Sequence, residues 1–305
     1  MGSPFHLIFF CNDSLKANEA ANRSFSLVDS LNQIFSDYIP DSELNGLCAT
    51  AGMDSFVSIS APLFEIFLLA DEAYKISKGR FDITIGPLSK VWRQARREKL
   101  FPHPDTIYKA KQKVGWNKVI IDKKNQRIKL LQKNMQLDLG GIAAGYIAQK
   151  VTQFLKTENI TSSLVDASGD IVCTNAPPGK KGWTIGINQP GEANRLLEKY
   201  LELANCSVST SGDVFQYMEH NSKRYSHIID PKTGYGSSFQ RNVTIITKDG
   251  TTADWLATAF SLLPMNKIRR IAKKMKAEYL IPQRTKTTIK EYSSQGFRNY
   301  WQKTN

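Results

Sequence analysis

What this 305-residue sequence lacks narrows its chemistry. Its four cysteines, Cys11, Cys48, Cys173 and Cys206, stand far apart, with neither the paired spacing of a zinc site nor a Cys-x-x-Cys redox motif. They read as buried small hydrophobes or free thiols, and they leave the compartment open. No run of about 18 apolar residues occurs, so nothing reads as a membrane-spanning helix. There is no internal repeat, no low-complexity tract and no polar linker long enough to separate domains. Walker A and Gly-x-Gly-x-x-Gly spacings are absent as well. The opening Met1-Gly-Ser-Pro-Phe-His-Leu-Ile-Phe-Phe10 has no basic flank, and its apolar run is strand-length, unlike a signal peptide.

What is present describes an ordinary globule: 41% hydrophobic and 23% charged residues, in a length that suits one large domain or two closely packed lobes. The formal charge of +13 is uneven. From Pro264 onward eleven Lys or Arg face only Glu278 and Glu291, so this end carries +9 of the total. Such a run on a C-terminal helix reads first as a solvated face. Contact with nucleic acid or an anionic membrane through it is the alternative, but no DNA- or RNA-binding signature accompanies it.

Periodicity places a strand at Phe5 to Phe10 and an amphipathic helix from about Leu15 to Phe35, capped by Asp13 or Ser14. A second helix starts at Ser60 with Pro62 in its first turn and stops at Gly79. Gly79 to Leu88 reads as an extended segment ended by Gly86-Pro87, and residues 117 to 131 read as a hairpin. Gln136 to Tyr146 reads as a strand entering a glycine turn and then a helix to about Leu155. Further strands fall at Ser163 to Val172, Trp183 to Ile187, Leu201 to Ala204 and Val243 to Thr247, and closing helices at Thr252 to Leu263 and Met265 to Ala277. Strands and helices mix without strict alternation, so the fold class is α+β with mostly antiparallel sheet and packed helices.

Chemistry-bearing residues gather at the ends of these runs. Asp254 and Thr258, four apart in a helix, share one face and could grip a hard cation. They could equally serve the helix, Asp254 through its dipole and Thr258 by bonding back to a carbonyl. Leu137-Asp-Leu-Gly-Gly-Ile-Ala-Ala-Gly145 would aim backbone N–H groups at an anion, or serve packing alone. His227, in an apolar strand before the Asp230-Pro-Lys-Thr-Gly234 turn, is either a core residue or a catalyst, and Tyr38 either core or a stacking platform.

Taken in order, the motifs tell more than any one alone. They are Met1-Gly-Ser-Pro-Phe5, Phe35-Ser-Asp-Tyr-Ile-Pro-Asp-Ser-Glu-Leu44, Gly79-Arg-Phe-Asp-Ile-Thr-Ile-Gly-Pro-Leu88, Leu137 to Tyr146, Val165-Asp-Ala-Ser-Gly-Asp170, Ser209-Thr-Ser-Gly-Asp213, Tyr225 to Gly234 and Ala253-Asp-Trp-Leu-Ala-Thr258. In sequence and order this set resembles the bacterial ApbE family of FAD:protein FMN transferases, over about residues 1 to 264. The resemblance implies an ApbE, T-fold-like architecture of two associated lobes, with 265 to 305 as a basic helix and tail packed on or extending the same domain.

It also implies a reaction. With magnesium, FMN passes from FAD to a Ser or Thr hydroxyl of an acceptor flavoprotein subunit, and AMP leaves; some members hydrolyse FAD to FMN and AMP. Carried over by position, Asp254, Thr258 and a carbonyl near Gly141 match the metal ligands. Met1, Tyr38, Arg80, Phe81, Asp82, Asp138, Ala144, His227 and Ile228 match the flavin-nucleotide contacts. His227, with Asp254, matches the catalytic pair, the histidine taking the acceptor's proton. Two departures stand out: Ala144 replaces a common lysine, and the lipoprotein signal of many members is missing. The resemblance thus implies a periplasmic or cell-envelope protein in mature form, with membrane association through a missing lipid anchor, or else a cytoplasmic one. Competing readings are an FAD pyrophosphatase and a non-catalytic FAD-binding protein.

Overall fold

Along β12 (Asn242–Thr247) every residue is buried, as in a strand covered on both faces. It lies inside a seven-stranded sheet of a computed structural model, which describes residues 4–188, 196–197, 199–212, 217–221, 223–285 and 288–302. The chain forms two compact units: one from 1–30, 142–215 and 239–305, the other from 31–141 and 216–238.

The first unit is built on that sheet, in the order β1 (Phe5–Phe9), β5 (Ser163–Ala167), β6 (Asp170–Cys173), β9 (Cys206–Gly212), β12, β13 (Glu278–Arg284) and β14 (Ile289–Ser293), all neighbours antiparallel. Ser163 to Val172, expected as one strand, is a hairpin. Ser168 and Gly169 take φ of 63° and 97°, the positive values a two-residue turn with the right twist needs. One face carries Leu164, Cys173, Val208, Ile246 and Leu280, packed with Phe297 and with the small β7 (Trp183–Ile185) and β8 (Leu201–Leu203) pair. Alternation puts Val165 and Val172 on the opposite face. There α6 (Ala143–Thr157) lies on β5 and β6, α7 (Gly250–Phe260) lies on β9 and β12, and the two helices pack on each other. α8 (Met265–Met275) and the C-terminal strands β13 and β14 belong to this same unit.

α1 (Ser14–Phe35) is capped by Asp13, whose carboxylate accepts from Leu15 and Lys16 N–H groups at 2.9 and 3.1 Å. The second unit holds α2 (Glu43–Ala49), α3 (Ala61–Ser77), α4 (Gly86–Glu98) and α5 (Pro104–Lys111), a three-stranded sheet β2 (Val57–Ser58), β4 (Arg127–Leu130) and β3 (Val119–Asp122), and the hairpin β10 (Tyr217–His220) with β11 (Lys223–Ser226). α3 begins at Ser60, whose hydroxyl accepts from Leu63 N–H, and ends on Lys78 and Gly79 with φ of 55° and 74°. Its stripe Leu63, Ile66, Phe67 and Ala70 is buried.

Gly86-Pro87 opens a helix instead of ending an extended segment: proline in a first helical turn forfeits no hydrogen bond, and Ile83–Ile85 is already a short 3-10 turn. Gln136 to Leu139 is irregular and not a strand, although Asp138 N–H donates to Ile83 O at 2.8 Å. Trp92, Leu88, Ile107 and Ile229 form this unit's apolar cluster, and the Trp92 indole donates to Gly234 O at 2.9 Å.

Candidate functional site

In the first unit the N-terminal ends of α6 and α7 meet closer than side chains allow. A Cβ on Gly145 would stand 2.2 Å from Gly250 O, and one on Gly250 would stand 2.6 Å from Gly145 O, so only glycine fits either position. That crossing brings Gly145 N–H to Asp254 Oδ2, 3.1 Å away. Asp254 is 4% exposed. α7 begins at Gly250, two residues before the expected Thr252, so Asp254 is not in its first turn. The N-cap is Asp249, whose carboxylate accepts from Thr252 N–H at 2.8 Å, which leaves Asp254 a full turn inside with its carboxylate available for other work.

Burial pushes the Asp254 pKa well above the carboxylate range, the neighbouring Asp170 adds to this, and the Gly145 N–H opposes it. Asp170 is raised to about 7, chiefly by burial; the Ser209 hydroxyl that bonds it pulls the other way, and Asp166 raises it further. Sequence reasoning picked neither Asp170 nor Ser209 as a site residue. The signal was the short Ser168-Gly169 turn, which folds β6 back on β5 and leaves Asp170 opposite Ser209 on the helix-covered face. Two neighbouring acids that resist ionising, Asp254 buried and Asp170 half-buried, suit a hard divalent cation, whose charge would reverse the penalty. Thr258, half-buried, lies one turn on from Asp254 along α7. Among the described residues no group of three or more His, Cys, Asp or Glu could hold a metal, so protein ligands are few here. Ala144 stands in the first turn of α6 and brings no charge.

The other predicted residues, Met1 apart, are in the second unit. Arg93 pairs with Asp37 and with Asp138, the latter at 2.8 Å, and its guanidinium lies 4.4 Å over the ring of Tyr38, which is 74% exposed. Burial works against the charge on Arg93, but Asp138 and Asp37 outweigh it and raise its pKa. Asp138 also accepts from Gly140 N–H at 2.8 Å, which fixes the glycine turn that runs on through Gly141, the last residue of this stretch. Sequence reasoning missed Arg93 and Asp37, which tie Tyr38 and Asp138 into one group.

Arg80 pairs with Asp230, which also accepts from Lys232 N–H at 2.9 Å. Phe81 is buried, and Asp82 is buried with its carboxylate taken by the Thr84 N–H and hydroxyl at 2.9 and 2.7 Å. Burial raises the Asp82 pKa. His227 lies in a bend just past the end of β11, and not within a strand: Ser226 N–H is already bonded to Ser237 O at 3.0 Å and Ile228 N–H to Ser226 Oγ at 3.1 Å, which turns the chain. Ile228 beside it is buried. Met1 lies outside the described residues.

Known proteins resemble this chain in sequence and in fold. The family model described as "ApbE family" matches residues 1–281. The FAD:protein FMN transferase of Klebsiella pneumoniae (strain 342) is 30% identical over 264 residues, covering 86% of this chain and 80% of that protein. The FAD:protein FMN transferase of Haemophilus influenzae is 28% identical over 306 residues, covering 98% and 88%. Among solved structures, the flavin transferase ApbE from Vibrio cholerae superposes with a TM-score of 0.88 at 24% identity, covering 98% of this chain and 96% of that one. The apo flavinyl transferase ApbE of Pseudomonas stutzeri superposes with a TM-score of 0.85 at 27% identity, covering 98% and 94%. From the ordered motifs, the fold and these matches together, the chain belongs to the ApbE family.

Proposed function

We propose that this protein is a magnesium-dependent FAD:protein FMN transferase. The support is family membership, the names of its relatives and one structural observation: Asp254, a buried carboxylate at the glycine-only crossing of α6 and α7, held by a single backbone N–H and crowded by Asp170. Asp254 and Thr258, with a carbonyl near Gly141, would hold the magnesium ion, which supplies positive charge to diphosphate oxygens. So few protein ligands suit magnesium, which keeps water and substrate phosphate in its shell.

The acceptor's Ser or Thr oxygen bonds to the phosphorus on the FMN side of the diphosphate. The bond from that phosphorus to the bridging oxygen breaks, and AMP leaves carrying the oxygen. His227 takes the hydroxyl proton. Tyr38, with Arg93 beneath its ring, offers a stacking face; Met1, Arg80, Phe81, Asp82, Asp138, Ala144 and Ile228 are assigned to the nucleotide by family position. On the same family ground we place the protein at the cell envelope.

Incubation with FAD, magnesium and an acceptor protein tests this. The expected products are equimolar AMP and an acceptor heavier by one FMN, whose flavin fluorescence survives denaturation. AMP without adduct would make the protein an FAD pyrophosphatase, the reading that the uncharged Ala144 favours. FAD binding with no AMP under any metal condition would make it a carrier and overturn the proposal.

A further inference from the structure

α8 has two unlike faces. Ile268, Ile271 and Ala272 are buried, with Met275 half-buried on the same side. The rest of the helix and its left-handed cap carry Lys267, Arg269, Arg270, Lys273, Lys274 and Lys276, all exposed. At 100° per residue these cations fill the half of the helix opposite the apolar stripe, and no acidic residue interrupts them. Among the described residues none of the six is in an ion pair. Six like charges on three turns repel one another, and the helix dipole eases this only at the C-terminal end, for Lys273, Lys274 and Lys276. No aromatic ring is interleaved among them for stacking bases.

We propose that the outer face of α8 is a docking surface for an anionic lipid bilayer. Four to eight Lys or Arg on one side of an amphipathic helix is the pattern that anionic headgroups recruit. The apolar stripe is committed to the protein core, and no helix among the described residues is long and apolar enough to cross a membrane, so the contact is one of charge at the surface, without insertion. The proposal is independent of the transfer reaction, since no α8 residue is assigned to the site.

Co-sedimentation of the full chain with phosphatidylcholine vesicles, with and without 30% phosphatidylglycerol, tests it. Binding is expected only with the anionic lipid and is expected to be lost in 0.5 M salt. Arg270→Gln, Lys273→Gln and Lys274→Gln together should weaken partitioning on the order of a hundred-fold, at about tenfold or less per cation. The thermal transition and FAD turnover should be unchanged. Lys109→Gln, Lys111→Gln and Lys113→Gln together remove equal charge from the second unit and should leave binding intact. Equal binding to neutral vesicles, retention by the α8 triple variant, equal loss in the control, or tighter binding to an RNA oligonucleotide than to anionic vesicles would each overturn it.

Discussion

Asp254 is short, buried and acidic, so its ionisation costs energy that something nearby has to return. Asp254→Asn keeps an oxygen for the Gly145 N–H and replaces the carboxylate that would face a cation with an uncharged amide. We expect FAD turnover to fall about a hundred-fold or more, the scale for losing one group that stabilises transition-state charge. We also expect magnesium to raise the melting temperature of the wild-type protein at pH 8 and to leave that of the variant unmoved in differential scanning fluorimetry. An equal magnesium shift in both would remove Asp254 from the ligand set. The cysteines give a second prediction. Burial raises Cys48 and Cys206 to about 11 and Cys173 higher still, so at pH 8 these thiols stay protonated as well as shielded. Alkylation followed by mass spectrometry should label Cys11 alone in the native protein, and the other three only after denaturation.

For the elements, the test of the α6 and α7 crossing is Gly145→Ala. The added methyl would meet Gly250 O at 2.2 Å, so the helices must part, at a cost of about 1–3 kcal/mol and with loss of turnover. Asp249→Ala removes only a cap and should cost about 1 kcal/mol while turnover persists. Thermal denaturation paired with an AMP assay separates the two outcomes. Where a local rule decided an element, the sequence announced it: Ser60, Pro62 and Gly79 bracket α3 because capping and left-handed geometry are properties of single residues. Where tertiary pairing decided, the sequence was silent. β13 contains Pro282 and follows a basic helix, yet it pairs with both β12 and β14; Asp170 meets Ser209 only through strand register. Asp254 and Thr258 were legible as a pair, since one helix carries both. The acidic neighbour of Asp254 was not, because its position depends on a hairpin and a sheet.

At the scale of the whole molecule, the basic C-terminal stretch is not an appendage to the first unit. Leu280, Ile281 and Phe297 are buried, and β13 supplies the partner of β12. A chain ending at Leu263 should therefore lose the cooperative thermal transition of this unit, seen by far-UV circular dichroism; a wild-type melt would show the stretch to be dispensable. The interleaving of the two units has a consequence for synthesis. Phe5 pairs with Ala167, so once β1 has left the ribosome it waits for its neighbour while more than half of this sequence is made, roughly ten to thirty seconds at about 5–20 residues per second. Neither unit has all its segments until residue 238 has emerged, and the sheet's interior strand β12 comes later still. For that interval Leu7 and its neighbours have no strand to pair with, which makes the nascent chain a natural client for chaperones and gives its folding the slow, long-range character of high contact order.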